Sequence, residues 1–339
     1  MMRLSAAATI LGCEGPRLTG AEAAFFREAD PLGFILFARN VETPDQLRRL
    51  TGELRAAVGR DAPVLVDQEG GRVQRLRAPH WHEWLPPLDE VAGLAPAARA
   101  RGLWLRYRLI AAELRAVGID TCCAPTADIA GPETHPFLRN RCFGSDPATV
   151  VEAARAAAEG LLAGGVLPVM KHLPGHGRAV VDSHLHPPRV AADAVTLEAT
   201  DFAAFRALAD LPVAMTGHVV FDAIDPDLPA TLSPAVIRVI RERIGFTGLL
   251  LTDDLSMEAL SGTLATRAAA AIAAGCDVAL HCNGRRAEME AVAAAAGRLA
   301  PRAAARAEAA LACRGPAGAI DTARLEAEFI ALERVGADV

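Results

Sequence analysis

The hydrophobic pattern of this chain alternates between short apolar runs and longer segments in which apolar residues recur at helical spacing. The short runs predict strands at residues 6–11, 33–37, 63–67, 120–124, 167–172, 212–216, 248–253 and 277–281. The alanine-rich amphipathic segments between them predict helices at residues 21–28, 44–58, 97–117, 148–163, 196–209, 234–244 and 257–274. Strands that alternate with helices in this way indicate βαβ units and a parallel sheet.

The number of these units favours an α/β fold of the closed (β/α)8 TIM-barrel type. The apolar run Leu249-Leu250-Leu251 is typical of a strand that is buried on both faces. A doubly wound open sheet is the alternative, but no predicted strand leads into a GxGxxG or P-loop motif. Beyond residue 300 the pattern predicts a closing helix, a loop around Ala319 and a terminal helix. We therefore expect a single barrel domain over residues 1–339.

The composition and charge of the chain argue against several classes of protein function. The formal net charge of −6 and the interspersed charges give no basic footprint for nucleic acid. No apolar run approaches the roughly 18 residues of a membrane span, and we expect residues 4–13 to form a buried strand. The seven cysteines show no CxxC spacing, which favours reduced core thiols in a cytoplasmic protein. We expect a small-molecule partner, no nucleic-acid or membrane partner, and a monomer.

The chemistry of such a barrel lies at the carboxyl ends of its strands. Polar side chains follow four of the predicted strands directly: Asp67, Lys171 with His172, His218, and Asp253 with Asp254. Because these strand ends meet at one mouth of the barrel, the pattern predicts a polar site there.

The segment after the fifth strand is the richest in reactive side chains. Asp182 lies two residues before His184, and a carboxylate beside an imidazole fixes its tautomer and raises its basicity, which suits a general acid/base. A solvated loop is one alternative. A metal site is another, with ligands of suitable type at His172, His176, Asp182, His184 and His186. Lys171 within the cluster would repel a cation, so we expect no metal.

Three other segments carry candidate groups. Asp253 ends a strand, where an ionised carboxylate can attack a sugar C1, whereas Asp254 and Ser256 can cap the next helix. The carboxylate of Asp67 can accept hydrogen bonds from two sugar hydroxyl groups. Nearby, a local ion pair under the Gly-Gly turn is the alternative for Glu69 and Arg72. An arginine at position 141 follows a loop that contains proline and glycine.

Together these segments resemble family 3 of the glycoside hydrolases, and within it the bacterial β-N-acetylglucosaminidases of peptidoglycan recycling. The matching pieces are VDQEGGRVQRL, NRCFGSDP, KHLPGHG with its downstream DSH, and LLLTDDLSM, in the order of the family from about residue 66 to residue 257. The chain departs from the family at Leu173, where phenylalanine is usual. His186 adds a second candidate beside His184.

The resemblance implies a barrel in which Asp253 is the nucleophile and His184, assisted by Asp182, is the acid/base on a loop over residues 174–186. It also implies a set of sugar-binding residues: Asp67, Arg75, Arg141, Lys171 and His172. The expected reaction releases terminal N-acetylglucosamine from muropeptide fragments with retention, through a glycosyl-enzyme and without a cofactor. The alternatives are a phosphorylase or a β-glucosidase or β-xylosidase on the same scaffold, a metal-dependent hydrolase, and a non-catalytic carbohydrate-binding protein.

Overall fold

Eight parallel strands close into a barrel in this computed structural model, which describes residues 4–180, 188–316 and 320–337. We number them β1 (Ala7–Gly12), β2 (Pro31–Leu36), β3 (Val64–Val66), β4 (Thr121–Cys122), β5 (Leu167–Leu173), β6 (Val213–Thr216), β7 (Leu249–Asp254) and β8 (Val278–His281). Each strand pairs with its neighbour along the chain, and β8 pairs with β1. The predicted (β/α)8 barrel and its eight strands are confirmed.

Side chains alternate between the inside and the outside of this barrel, as the two-residue period of a strand requires. Leu65, Val169, Met215 and Leu251 pack in the cluster that fills the interior. Their neighbours along the strands, such as Leu250, pack outward in the cluster that includes the surrounding helices. Because both faces are covered, the strands need to be apolar almost throughout, and this explains the near-continuous apolar runs in the sequence.

The helices lie between and after the strands. They are α1 (Gly20–Ala29), α2 (Pro44–Val58), α3 (Pro87–Gly93), α4 (Arg99–Ala116), α5 (Pro136–Arg139), α6 (Pro147–Ala163), α7 (Ala194–Ala199), α8 (Asp201–Ala207), α9 (Pro234–Arg238), α10 (Leu264–Ala274), α11 (Arg286–Ala296), α12 (Pro301–Ala312) and α13 (Thr322–Ala337). Short strands outside the barrel are Gln68–Gly70, Val73–Gln74, Arg189–Val190, Val220–Phe221 and Asp225–Pro229. Among the described residues, no helix is both long and apolar enough to cross a membrane.

Three predicted helices differ from those in the structure. The helix predicted at 257–274 begins only at Leu264, because Gly262 takes a positive φ of 86° and Thr263 caps the amino end. The segment 196–209 divides into α7 and α8 at Thr200, whose φ and ψ of −123° and −85° are not helical. The segment 234–244 continues past α9 as a π-helical turn, Val239–Arg243. The helices α3, α5 and α11 were not predicted.

A buried carboxylate ties the amino end of the barrel together. Asp120 precedes β4 and is 1% exposed. One of its oxygens accepts the backbone N–H of Val64 at 2.8 Å. The other accepts hydrogen bonds from Arg55 at 3.0 Å and from Arg314 at 2.5 Å. These contacts link α2 and the segment after α12 to two barrel strands, so the closing helix is held by charge as well as by apolar packing.

We expect Asp120→Ala to lower the free energy of unfolding by about 3 kcal/mol, because it leaves two arginines and a strand N–H without their buried acceptor. Urea unfolding at pH 7 measures this loss. Asp61→Ala is the matched control, since Asp61 contacts the same two arginines but is 76% exposed, and we expect little change from it. Equal losses in the two variants would contradict the assignment.

Candidate active site

A cavity of about 170 Å³ opens at the carboxyl ends of the strands. The interior side chains Ile35, Met215 and Leu280 also line it, so it lies directly above the packed core of the barrel. Six of the eight predicted site residues line its wall: Asp67, Arg75, Arg141, Lys171, His172 and Asp253. The other two, Asp182 and His184, lie outside the described residues.

Two irregularities in strand pairing bring consecutive polar residues into this cavity. In the pairing of β5 with β6, Lys171 and Leu173 lie opposite consecutive residues of β6. His172 is therefore an extra residue in β5. In the pairing of β7 with β8, Leu251 and Asp254 are three residues apart, but the residues opposite them in β8 are only two apart. β7 therefore also contains one extra residue. A bulge reverses the strict alternation of a strand. As a result Lys171 and His172 both face the cavity, and so do Asp253 and Asp254.

Lys171 lies at the centre of a buried network of charges. It is 2% exposed, and its Nζ lies 2.9 Å from Oδ1 of Asp67 and 2.6 Å from Oε1 of Glu69. The second oxygen of Asp67 accepts a hydrogen bond from Arg75 at 2.9 Å. Glu69 accepts two hydrogen bonds from Arg141, both at 2.9 Å. Fixed in this way, the cations and carboxylates present a rigid set of donors and acceptors to a ligand.

The network also sets the charge states of its members. Burial alone would raise the pKa of Asp67, but Lys171 and Arg75 hold that pKa well below its usual range. Burial likewise opposes ionisation of Glu69, and Arg141 and Lys171 lower its pKa overall. Lys171 keeps its proton because the two carboxylates raise its pKa in spite of burial.

Glu69 is the first site residue that the sequence interpretation missed. The alternative of a local ion pair with Arg72 is wrong, since Glu69 pairs with Arg141 and Lys171. Arg72 instead lies over the ring of Phe137, with its guanidinium carbon 3.5 Å from the ring centroid. The cause is the turn at Gly70 and Gly71, both with positive φ, which separates the two side chains.

Asp128 is the second missed residue. It lies in the loop after β4, is fully buried, and accepts hydrogen bonds from Nδ1 of His172 at 2.7 Å and from the backbone N–H of His176 at 2.7 Å. It lies several residues beyond the end of β4, so the strand-end position that marked Asp67 and Asp253 gave no signal for it. Within the part of the chain that the structure describes, Asp128, His172 and His176 form a group that could hold a cation, since each offers a ligand-type atom within 4.8 Å of the others.

His176 contributes a neutral imidazole to the cavity wall. It is 5% exposed, and its Nδ1 has no hydrogen-bond partner among the described residues. Burial lowers its pKa to about 3. Near neutral pH it therefore carries no charge and offers a polar nitrogen to whatever enters the cavity.

Asp253 is ionised and held by its neighbours. Its Oδ1 accepts the backbone N–H of Asp254 at 2.8 Å. Burial opposes ionisation, but His172, His218, the Asp254 amide and Lys171 together keep the pKa of Asp253 below its ordinary value.

The residues behind Asp253 fix its strand end. His218 donates from Nε2 to the backbone oxygen of Asp254 at 3.0 Å, while its Nδ1 accepts the Thr231 hydroxyl at 2.7 Å. The alternative in which Asp254 caps the next helix is wrong, because that helix begins only at Leu264 and is capped by Thr263. The carboxylate of Asp254 instead accepts hydrogen bonds from Ser256 and from the backbone N–H of Cys282.

A barrel mouth that combines an ionised carboxylate with closely spaced ions and imidazoles defines a site for polyhydroxylated ligands and for substitution at an acetal carbon. The comparisons with known proteins agree. The model of the glycosyl hydrolase family 3 N-terminal domain matches residues 21–311. The chain belongs to this family, and it is a glycoside hydrolase of the β-N-acetylhexosaminidase class.

Curated relatives and solved structures are similar over most of their length. A β-hexosaminidase of Methylococcus capsulatus is 42% identical, covering 79% of this chain and 80% of the relative. A β-hexosaminidase of Alkalilimnicola ehrlichii is 40% identical, covering 81% of this chain and 80% of the relative. The structure of NagZ from Neisseria gonorrhoeae in complex with N-trifluoroacetyl-D-glucosamine superposes with a TM-score of 0.84 at 29% identity, over 100% of this chain and 99% of that one.

The neutral state of His176 predicts a specific loss of stability in acid. The unfolded chain protonates this residue below its ordinary pKa of 6.5, whereas the folded chain does so only near 3. Its contribution is therefore complete above pH 6.5 and is lost as the pH falls. Between pH 7 and pH 5 the wild type should lose about 2 kcal/mol more stability than His176→Gln, measured by urea unfolding.

His80→Gln provides the control for this comparison, because His80 is an exposed histidine. We expect its stability to depend on pH as that of the wild type does. Identical acid profiles for the wild type and His176→Gln would contradict the neutral, buried state of His176.

Proposed function

We propose that this protein is a retaining exo-β-N-acetylglucosaminidase that removes terminal non-reducing N-acetylglucosamine from peptidoglycan fragments in cell-wall recycling. The substrates we propose are N-acetylglucosaminyl-1,6-anhydro-N-acetylmuramic acid and its peptides. The observation that carries the proposal is the ionised Asp253 at the end of β7, which faces the same small cavity as the cations and imidazoles of β5 and the loops after β3 and β4.

In the proposed first step a carboxylate oxygen of Asp253 attacks the anomeric carbon as the glycosidic C–O bond breaks. The leaving oxygen takes a proton from His184, whose basicity Asp182 supports. In the second step His184 removes a proton from water, and the water oxygen displaces Asp253 from the sugar. Two displacements at one carbon return the β-configuration, so the product is β-N-acetylglucosamine.

The proposed binding of the sugar rests on the charged network. Asp67, with its two oxygens held by Lys171 and Arg75, can accept hydrogen bonds from neighbouring sugar hydroxyl groups. Arg141 and His172 complete the wall next to Asp253. Because these side chains are already positioned by one another, little conformational entropy is lost when the sugar binds. The gonococcal NagZ complex with an N-acylglucosamine supports an N-acetylated sugar as the ligand of this chain.

We also propose that the enzyme acts in the cytoplasm as a single chain comprising one domain. All seven cysteines are free, and six of them are buried, which suits a reducing compartment. The residues that we propose to bind sugar line one cavity of a single chain.

We expect Asp253→Ala to lower the turnover of 4-nitrophenyl N-acetyl-β-glucosaminide by at least about 10³-fold while it leaves the unfolding transition intact, because the attacking oxygen is lost. Asp227→Ala, an exposed acid on a short strand outside the barrel, should retain full activity. Substantial turnover by Asp253→Ala, or a first-formed α-anomer in proton NMR of the wild-type reaction, would overturn the retaining mechanism.

The same assay tests which sugar the enzyme prefers and whether water or phosphate attacks the glycosyl-enzyme in the second step. We expect the N-acetylated substrate to be preferred over the β-glucoside, with no sugar 1-phosphate formed when inorganic phosphate is added. A preference for the glucoside, or accumulation of the 1-phosphate, would favour the β-glucosidase or the phosphorylase instead.

The acid/base role predicts a kinetic signature for His184→Ala. Nitrophenolate leaves without much protonation, so the first step should persist while the second step slows by about 10²–10⁴-fold. Stopped-flow absorbance should therefore show a burst of nitrophenolate close to one equivalent of enzyme. His186→Ala is the matched control, two residues further along the chain. A burst in His186→Ala and none in His184→Ala would transfer the role to His186.

A further inference from the structure

The loop after β4 holds a buried carboxylate to which the proposed mechanism assigns no role. Asp128 is 0% exposed and belongs to the loop between β4 and α5. Its contacts divide between its two oxygens. Oδ1 accepts the backbone N–H groups of His172 at 3.3 Å and of His176 at 2.7 Å. Oδ2 lies 2.7 Å from Nδ1 of His172.

These contacts determine which nitrogen of His172 carries the proton. An ionised carboxylate only accepts hydrogen bonds, so the proton between Asp128 and His172 belongs to Nδ1. Burial opposes ionisation of Asp128, but the hydrogen bonds from the His172 ring and from the His176 amide help to hold its pKa below the ordinary value. On the other side of the ring, Nε2 lies 3.4 Å from Nη2 of Arg141, and a guanidinium only donates. Both neighbours therefore require an Nδ1–H tautomer with a lone pair on Nε2.

We infer that Asp128 is a positioning residue that holds His172 as the Nδ1–H tautomer, so that Nε2 accepts a hydrogen bond from a hydroxyl group of the bound sugar. The role toward sugar rests on the proposed function, whereas the tautomer itself does not. The contact from Arg141 to Nε2 is long for a hydrogen bond, so a substrate hydroxyl at a shorter distance can replace it. His172 lines the cavity beside Asp253, where such a hydroxyl would lie.

The two-sided arrangement of Asp128 makes Asp128→Asn an informative variant. Two backbone N–H groups occupy Oδ1, so the amide oxygen of the asparagine will take that side and keep both contacts. Its NH2 group then faces Nδ1 of His172 and can only donate. The imidazole must accept there and move its proton to Nε2, where the N–H points at the guanidinium of Arg141. The variant is close in size to the wild type but reverses the tautomer.

The first measurement is the tautomer itself, by two-bond proton–nitrogen NMR of protein labelled with ¹⁵N-histidine, with His172 assigned from the spectrum of His172→Gln. We expect a protonated Nδ1 in the wild type and a protonated Nε2 in Asp128→Asn. A wild-type His172 protonated at Nε2 overturns the inference without any assay of activity. This result requires no variant at position 128 and stands even if Asp128→Asn does not fold.

The second measurement compares the effect of Asp128→Asn in two backgrounds. In the wild type we expect kcat/KM for the N-acetylglucosaminide to fall by about 10- to 100-fold, the usual cost of losing the residue that orients a ligand-binding histidine. In His172→Gln we expect the same substitution to change kcat/KM by less than about 2-fold, because the imidazole through which Asp128 acts is gone. Equal losses in the two backgrounds would show a general structural role and overturn the inference.

The two measurements separate this inference from the proposed function. If the wild type turns over none of the N-acetylglucosaminides, the proposed function fails, and the NMR result still decides the tautomer. If the wild type is active and His172 has the Nε2–H tautomer, the proposed function stands and the inference fails.

Discussion

The cavity of this barrel depends on keeping several ionised groups out of water without leaving any of them uncompensated. A buried charge is tolerated only when a partner and hydrogen bonds replace its hydration. Lys171 meets this condition through Asp67 and Glu69, which in turn engage Arg75 and Arg141. Three cations thus face two carboxylates, and the excess positive charge favours ionisation of a third carboxylate nearby. Asp253 occupies that position, which is where a nucleophile has to be charged.

The barrel reaches this arrangement by departing locally from regular strand geometry. A regular strand would send Lys171 into the cavity and His172 into the helical layer, or the reverse. The extra residue in β5 and the one in β7 remove this restriction just where the strands end. The apolar parts of the same strands stay regular, so the core below the cavity is packed by alternating side chains. The apolar part of each of these strands therefore packs the core, and its carboxyl end supplies the side chains of the site.

A second layer of residues orients those that face the cavity. Asp128 holds the ring of His172, Glu69 holds the guanidinium of Arg141, and His218 holds the backbone beside Asp253. The side chains of Glu69, Asp128 and His218 are almost completely buried, so they act through their neighbours. A site built in this way is rigid before the sugar arrives, and rigidity reduces the entropy lost on binding.

Sequence pattern was a sufficient guide wherever the signal is local. The two-residue and helical periods of the apolar positions identified all eight barrel strands and most of the helices, since burial on both faces leaves a direct mark on composition. Strand ends located Asp67, Lys171, His172 and Asp253, because parallel strands of a barrel all finish at one mouth. Family motifs added Arg75 and Arg141, for which periodicity gives no signal.

The tertiary structure decided what depends on contacts between distant segments. Glu69 pairs with Arg141, which is 72 residues away, and not with its neighbour Arg72. Asp128 serves a histidine 44 residues away, and no spacing rule relates the two positions. The sequence by itself determined the order of elements and the identity of the strand-end groups, because those follow from local periodicity. Which charges meet, and which tautomer they impose, follows from loop paths that only the folded chain defines.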